Sequence, residues 1–285
     1  MSWTQAALGS IRRLSRAFGR VSDLVVRALG VVALVWLLFA ASSTAETPQP
    51  FPPDPIAGRM IVLPGIHNTL FHLNGFLDMA RAGLPNFQID RRKWGLTFLG
   101  IYNLRAHDEN LAFARGLAAD IARWRRSHPD RLLYLMGYSG GGGVASLVLG
   151  ELPDGAYIDR LILVAPAISP DYPIERYATQ RVREFVVNFA SEKDMQVGLG
   201  TRLFGTIDRK YQHAAGYDGF ASGFAKLAQW QWRAADRRIG HFGNHVAYLG
   251  RRWQYDFLLP AIDPSISRDA LEQLWQERRD SLRSD

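Results

Sequence analysis

From residue 60 onward the chain alternates short, almost continuous apolar runs with longer stretches in which apolar residues return every three or four positions. The runs are MIVLPG (60–65), LTFLGIY (96–102), LLYLMG (132–137), LILVAP (161–166) and FVVNFA (185–190), each bounded by turn or polar residues. A run that is apolar at nearly every position has no face to turn to water, so it predicts a strand buried on both sides. In HDENLAFARGLAADIARWRRSHPD, Phe113, Leu117, Ile121 and Trp124 share one helical face, and the helix is expected to stop before Pro129. LAQWQW (227–232) alternates like a half-buried strand, VAYLGRRWQYDFLLPAI reads as an amphipathic helix, and SRDALEQLWQERRDSLRSD reads as a charged terminal helix carrying Leu271, Leu274 and Trp275. The pattern predicts an α/β fold, a mostly parallel central sheet with helices on both faces.

The beginning of the chain follows another rule. Arg12, Arg13, Arg16, Arg20 and Arg27 precede the apolar stretch ALGVVALVWLLFAA (28–41), which leads into SSTAET with small residues at Ser43 and Ala45. That order is the order of a secretory signal peptide, with cleavage expected after Ala45. Read from 24 to 41, the same segment approaches the minimum length of a membrane span, so an uncleaved anchor that keeps the chain at a membrane is the alternative. The expected location is therefore exported, periplasmic or extracellular, or membrane-anchored. TPQPFPPDP (47–55) reads as a linker, because its prolines remove amide donors and hold the backbone extended. The expected division is residues 1–45 as signal or anchor, 46–55 as linker and 56–285 as one folded domain that ends in a helix.

Charge and composition change this picture little. The chain has 285 residues and a formal net charge of +7, but its first 45 residues supply four of those charges, leaving an ordinary solvated surface and no sign of nucleic-acid binding. There are no cysteines, which removes disulfides, thiolate metal sites and lipidation at cysteine from consideration.

The chemistry begins at GYSGGGGVA (137–145), set between a buried strand and an apolar helix. Gly137-x-Ser139-x-Gly141 matches a nucleophile elbow, the strained strand-to-helix turn that exposes a serine hydroxyl. The glycines from Gly140 to Ala145 also fit a dinucleotide fingerprint, but the next strand ends in Ala165-Pro166 without the acid that would hold a ribose. A phosphate loop of the Walker type fails for want of Lys-Ser/Thr after the glycines.

A serine nucleophile needs a base, and the base needs an orienting acid. FVVNFASEKD supplies Asp194 just beyond a strand end, with Glu192 and Asp208 as alternatives, and HFGNH supplies His245 and, as the alternative base, His241. His245 is preferred because it directly precedes the helical pattern Val246, Leu249, Trp253. A zinc pair made of His241 and His245 lacks the glutamate of H-E-x-x-H. LPGIHNT (63–69) follows the first strand, and the backbone amides of Ile66 and Gly140 are the expected donors to an oxyanion. His107, His128 and His213 sit in polar stretches and read as surface residues.

IVLPGI, LYLMGYSGGG, LILVAPAISPDY, NFASEKDMQV and GHFGNHVAYL occur in the order of the α/β-hydrolase superfamily, and over residues 57–263 the chain resembles its members. The resemblance implies a Ser/His/Asp hydrolase that acts most often on carboxylic esters, esterase-like or lipase-like, with no metal or organic cofactor. Its substrate would be a small-molecule or lipid ester. Thioesterase, acyltransferase and peptidase chemistry, or a non-catalytic binding module, remain open on the same fold. The chain departs from the family pattern in having about fifty residues between Asp194 and His245, so much of GLGTRLFGTIDRKYQHAAGYDGF is an insertion expected to shape the pocket.

Overall fold

A computed structural model describes residues 56–68 and 73–284. The expected signal or anchor and the linker lie outside the described residues. Six strands form one sheet: β1 (Gly58–Leu63), β2 (Phe87–Arg91), β3 (Leu132–Tyr138), β4 (Ile158–Val164), β5 (Val182–Ala190) and β6 (Leu227–Gln231). Every pairing is parallel, and the order across the sheet is β2-β1-β3-β4-β5-β6.

The helices needed for parallel crossovers are α1 (Asn74–Gly83), α2 (Gly100–Arg105), α3 (His107–Ser127), α4 (Gly140–Glu151), α5 (Ile174–Arg181) and a terminal α6 (Arg268–Ser284). Alternate strand residues serve opposite layers, as the pleat requires. Ile61, Leu63, Leu133, Leu135, Leu161 and Leu163 pack with α3 and α4 on one side. Met60, Val62, Met136, Ile162, Val187 and Trp230 pack with α1 and α6 on the other. This double burial explains why the strand sequences lack a polar alternation. Helix α3 also carries Asp108 and Glu109 in its first turn and Arg125 and Arg126 in its last, matching its dipole at both ends.

Two expectations are corrected. LTFLGIY (96–102) is not a strand: it forms a turn and the start of α2, and Leu96, Leu99 and Ile101 are exposed. The strand is FQIDR, which reads as polar but lies at the sheet edge, half-buried throughout, where Asp90 pairs with Arg59 at 2.6 Å. Nor is 246–262 one helix. A 3-10 turn (His245–Leu249) stops at the extended Gly250, and three short helical segments continue to Ile262.

The insertion after Asp194 runs back over the sheet. Ile207 donates to the Ala167 carbonyl at 2.9 Å, Asn188 donates to the Ala215 carbonyl at 3.1 Å, and Gly216 lies against the Ala165–Pro166 backbone. Most of it thus braces the ends of β4 and β5, and Gln196, just before the stretch expected to do so, reaches the pocket described below.

Candidate active site

In a parallel sheet all carboxyl ends lie on one edge, so register decides which loops meet. Leu63 of β1 is level with Gly137 of β3, and Tyr138 with Val164 of β4. Pro64–His67 therefore runs beside Tyr138–Gly140, while the loops after β5 and β6 supply Asp194 and His245.

Ser139 occupies the corner between β3 and α4 with φ 57° and ψ −125°, a conformation that a residue with a Cβ adopts only at a cost on the order of 1–3 kcal/mol. Its amide donates to the Val164 carbonyl, and its carbonyl accepts from Gly142, Gly143 and Ala167, so four bonds hold the corner. Space is as tight as the glycines suggest. A Cβ at Gly137 would lie 2.3 Å from the Gly141 carbonyl oxygen, and one at Gly141 would lie 2.3 Å from the Pro64 oxygen.

His245 Nδ1 lies 2.6 Å from Asp194 Oδ2. A carboxylate can only accept, so the hydrogen in this contact is the one on Nδ1. Asp194 is fully buried, and its other oxygen accepts from the Gln196 amide at 3.1 Å, which fixes the carboxylate plane. Beneath the imidazole lies Tyr138, ring centroids 4.8 Å apart and 28° from parallel, with its hydroxyl donating to the His245 carbonyl at 3.0 Å. Burial, and secondarily the Asp194 charge, push the Tyr138 phenol well above its ordinary pKa, so it remains a donor.

Ser139 and His245 line a cavity of about 250 Å³ together with Gly65, Ile66, His67, Tyr138, Gln196, Val246 and Leu249. A Cβ at Gly140 would come 2.3 Å from Ile66 Cγ2, so the two segments that carry the expected oxyanion donors touch. Neither the Ile66 nor the Gly140 amide has a hydrogen-bond partner among the described residues. Ile66 is held from behind: its carbonyl accepts from Asn103 Nδ2 at 2.6 Å, and the Pro64 carbonyl accepts from Trp94 Nε1 at 2.7 Å.

His241 stands elsewhere. It is fully buried among Trp230, Tyr248 and Trp253, with ring centroids 5.4, 4.6 and 5.4 Å away. Its Nδ1 accepts from the Gly243 amide, its Nε2 has no partner among the described residues, and burial lowers its pKa to about 3. It is a neutral core ring. The other acids are also engaged elsewhere: Asp208 binds the Thr206 and Ser169 hydroxyls, and Glu192 is exposed beside Lys193. His128 stacks on Trp124, His213 pairs with Asp218, and His107 Nδ1 meets the Ile207 carbonyl at 3.0 Å.

Sequence reasoning missed Tyr138, Gln196 and Asn103. Tyr138 lay inside the elbow motif, where a signal was available; Asn103 sits in a stretch read as following a strand, where none was.

A parallel sheet with a strained serine corner at the carboxyl end of its third strand defines the α/β-hydrolase fold. Solved structures similar to this chain include an α/β-hydrolase enzyme from the metagenome of sediments of the lagoon of Mar Chica, Morocco (12% identity, covering 79% of this chain and 92% of that one, TM-score 0.44). A Bacillus licheniformis lipase in mature form (14%, 73% and 93%, 0.42) and the esterase domain of a Rhodothermus marinus protein (14%, 81% and 90%, 0.40) are also similar. No protein-family model matches the sequence, and no curated protein does.

Proposed function

We propose that this chain is a serine hydrolase that cleaves carboxylic esters through an acyl-enzyme on Ser139. The observation that carries the reading is the 2.6 Å contact between His245 Nδ1 and Asp194 Oδ2, in a cavity that His245 shares with a serine held at positive φ. Ser139 Oγ attacks the acyl carbon while its proton passes to His245 Nε2, and Asp194 stabilises the imidazolium that forms. The oxyanion takes the amides of Ile66 and Gly140, which have no other partner among the described residues. The alcohol leaves with the proton from His245, and water, deprotonated by the same ring, releases the acid.

Residues 56–285 act as one catalytic domain, and residues 1–45 act as the export signal or anchor, which mass spectrometry of the mature N-terminus tests. The chemistry is tested with a fluorophosphonate probe. The wild-type chain is expected to be labelled at Ser139, and Ser139→Ala to escape labelling. A folded chain that resists the probe and turns over no p-nitrophenyl ester of any acyl length is a binding module instead.

A further inference from the structure

Among the described residues thirteen large hydrophobic side chains are exposed, and eleven of them fall in three short stretches: 96–102, 195–204 and 242–246. Each stretch follows the carboxyl end of a strand, β2, β5 or β6, on the edge that holds the serine cavity. The outer faces of α1, α3 and α5, which have the same opportunity to scatter apolar residues, carry none of the thirteen.

Two of the stretches reach the serine cavity and the third is bonded to its wall, with Leu96 and Tyr102 lining a second cavity beside Lys93. Val246, 56% exposed, lines the cavity itself, and Gln196 lines it between Met195 and Leu199. Residues 96–103 are tied to the opposite wall, where the Phe98 amide donates to the His67 carbonyl at 3.0 Å and Asn103 to that of Ile66. Helix α2 packs against the helical turn Thr201–Phe204, and a Cβ on Gly243 would sit 2.7 Å from Lys193 Cβ, which closes the ring. Cations stand on the same outline, as Arg126, Arg176 and Arg278 do elsewhere on the surface, with the exposed carboxylates Asp108, Glu109 and Glu192 close by. Lys93, Arg105, Arg202 and Arg251, within or beside these stretches, are exposed and pair with no carboxylate among the described residues.

We infer that this rim docks the open mouth of the cavity onto an anionic lipid bilayer, apolar tips among the acyl chains and the four cations among the headgroups. Apolar side chains presented on separate loops and flanked by unpaired cations suit an interface whose inner layer is hydrocarbon and whose outer layer is anionic. A protein seated on the same rim would seal the cavity, whereas a bilayer supplies esters through it. The substrate half, an ester drawn from the bilayer, rests on the hydrolase reading; the docking half does not.

The chain contains no cysteine, so single cysteines can be placed and labelled in the full-length protein. Ile101→Cys and Leu199→Cys, carrying an environment-sensitive dye, are compared with Asp130→Cys, exposed beside the amino end of β3. With phosphatidylcholine–phosphatidylglycerol vesicles the dyes at 101 and 199 are expected to shift to the blue and the dye at 130 to stay unchanged, with the same result in a Ser139→Ala background. Vesicle-bound chains whose rim dyes remain in water would overturn the proposal, since residues 1–55 would then do the binding. Rim dyes already shielded without vesicles would overturn it too, in favour of a second copy or the chain's own amino-terminal segment as the cover. Equal shifts on phosphatidylcholine alone would refute the part assigned to the cations. Ile101→Asp with Leu199→Asp is expected to lower turnover of vesicle-borne ester about tenfold or more, with a water-soluble ester unaffected. Equal loss on both esters counts against bilayer delivery, and no turnover of either by the wild type counts against the hydrolase reading alone.

Discussion

The phenol of Tyr138 supports His245 twice, by a ring stacked beneath the imidazole at 4.8 Å and by a hydroxyl bonded to the same residue's carbonyl at 3.0 Å. The neighbour of the proposed nucleophile is thus the platform of the proposed base. Tyr138→Phe keeps the stack and loses the bond, so kcat is expected to fall roughly 3- to 10-fold with KM little changed. Tyr138→Leu removes both and should cost more, again in kcat. Steady-state kinetics on one soluble ester measure the split; a change confined to KM contradicts a positioning role.

Removing the groups of one catalytic unit should not add. Ser139→Ala is expected to lower turnover by roughly four to six orders of magnitude, and His245→Ala to do similar damage while adding little to Ser139→Ala. Asp194→Asn should cost about four orders of magnitude, because an amide can present its N–H to Nδ1 and stabilise the wrong tautomer. Multiplicative losses in the double variant would break the unit apart.

The contact between Gly140 and Ile66 predicts a steric rescue. A methyl on Gly140 would meet Ile66 Cγ2 at 2.3 Å and push the two amides apart. Gly140→Ala is expected to lower kcat by about 10²–10³, the scale of a lost oxyanion donor. Gly140→Ala with Ile66→Ala, which deletes the opposing carbon, should recover part of it. Circular dichroism separates this from misfolding.

His241 sets an acid limit on stability. Its pKa falls from an ordinary 6.5 to about 3 in the folded chain, mainly by burial, so between those values the unfolded state takes up a proton that the native state refuses. Its contribution is complete above about pH 6.5 and declines as pH falls towards 3, by up to about 1.4 kcal/mol per pH unit. His241→Gln should flatten that slope, read from urea midpoints across the window, and leave turnover near the wild-type value. Loss of activity with stability intact would instead place this ring in the chemistry.

Where the sequence was read correctly, one physical requirement dominated. Strands β1, β3, β4 and β5 are buried on both faces, which leaves few residue types admissible, and Ser139 sits where glycine spacing permits only a tight corner. Strand β2 escaped notice because an edge strand tolerates Asp90 and Arg91, while the apolar run beside it is exposed. Asp194 and His245 were chosen for their places after strand ends, and their side chains meet at 2.6 Å. His241 against His245 was a question of which ring faces the core, which local pattern only weakly encodes. The opening of the helix after His245 at Gly250 has no pattern signal at all, since glycine there is extended at φ −66°, ψ 124°, which any residue can adopt.

The backbone of Ser139 carries one more consequence. At φ 57° and ψ −125° the residue suited to the position is glycine, so Ser139→Gly should yield a protein that melts later than the wild type and hydrolyses nothing. Selection for heat resistance alone would thus drive this position away from serine. Retaining the hydroxyl then requires a screen that demands turnover as well as survival, and gains in thermal tolerance are best sought at the amino ends of the strands, far from this corner.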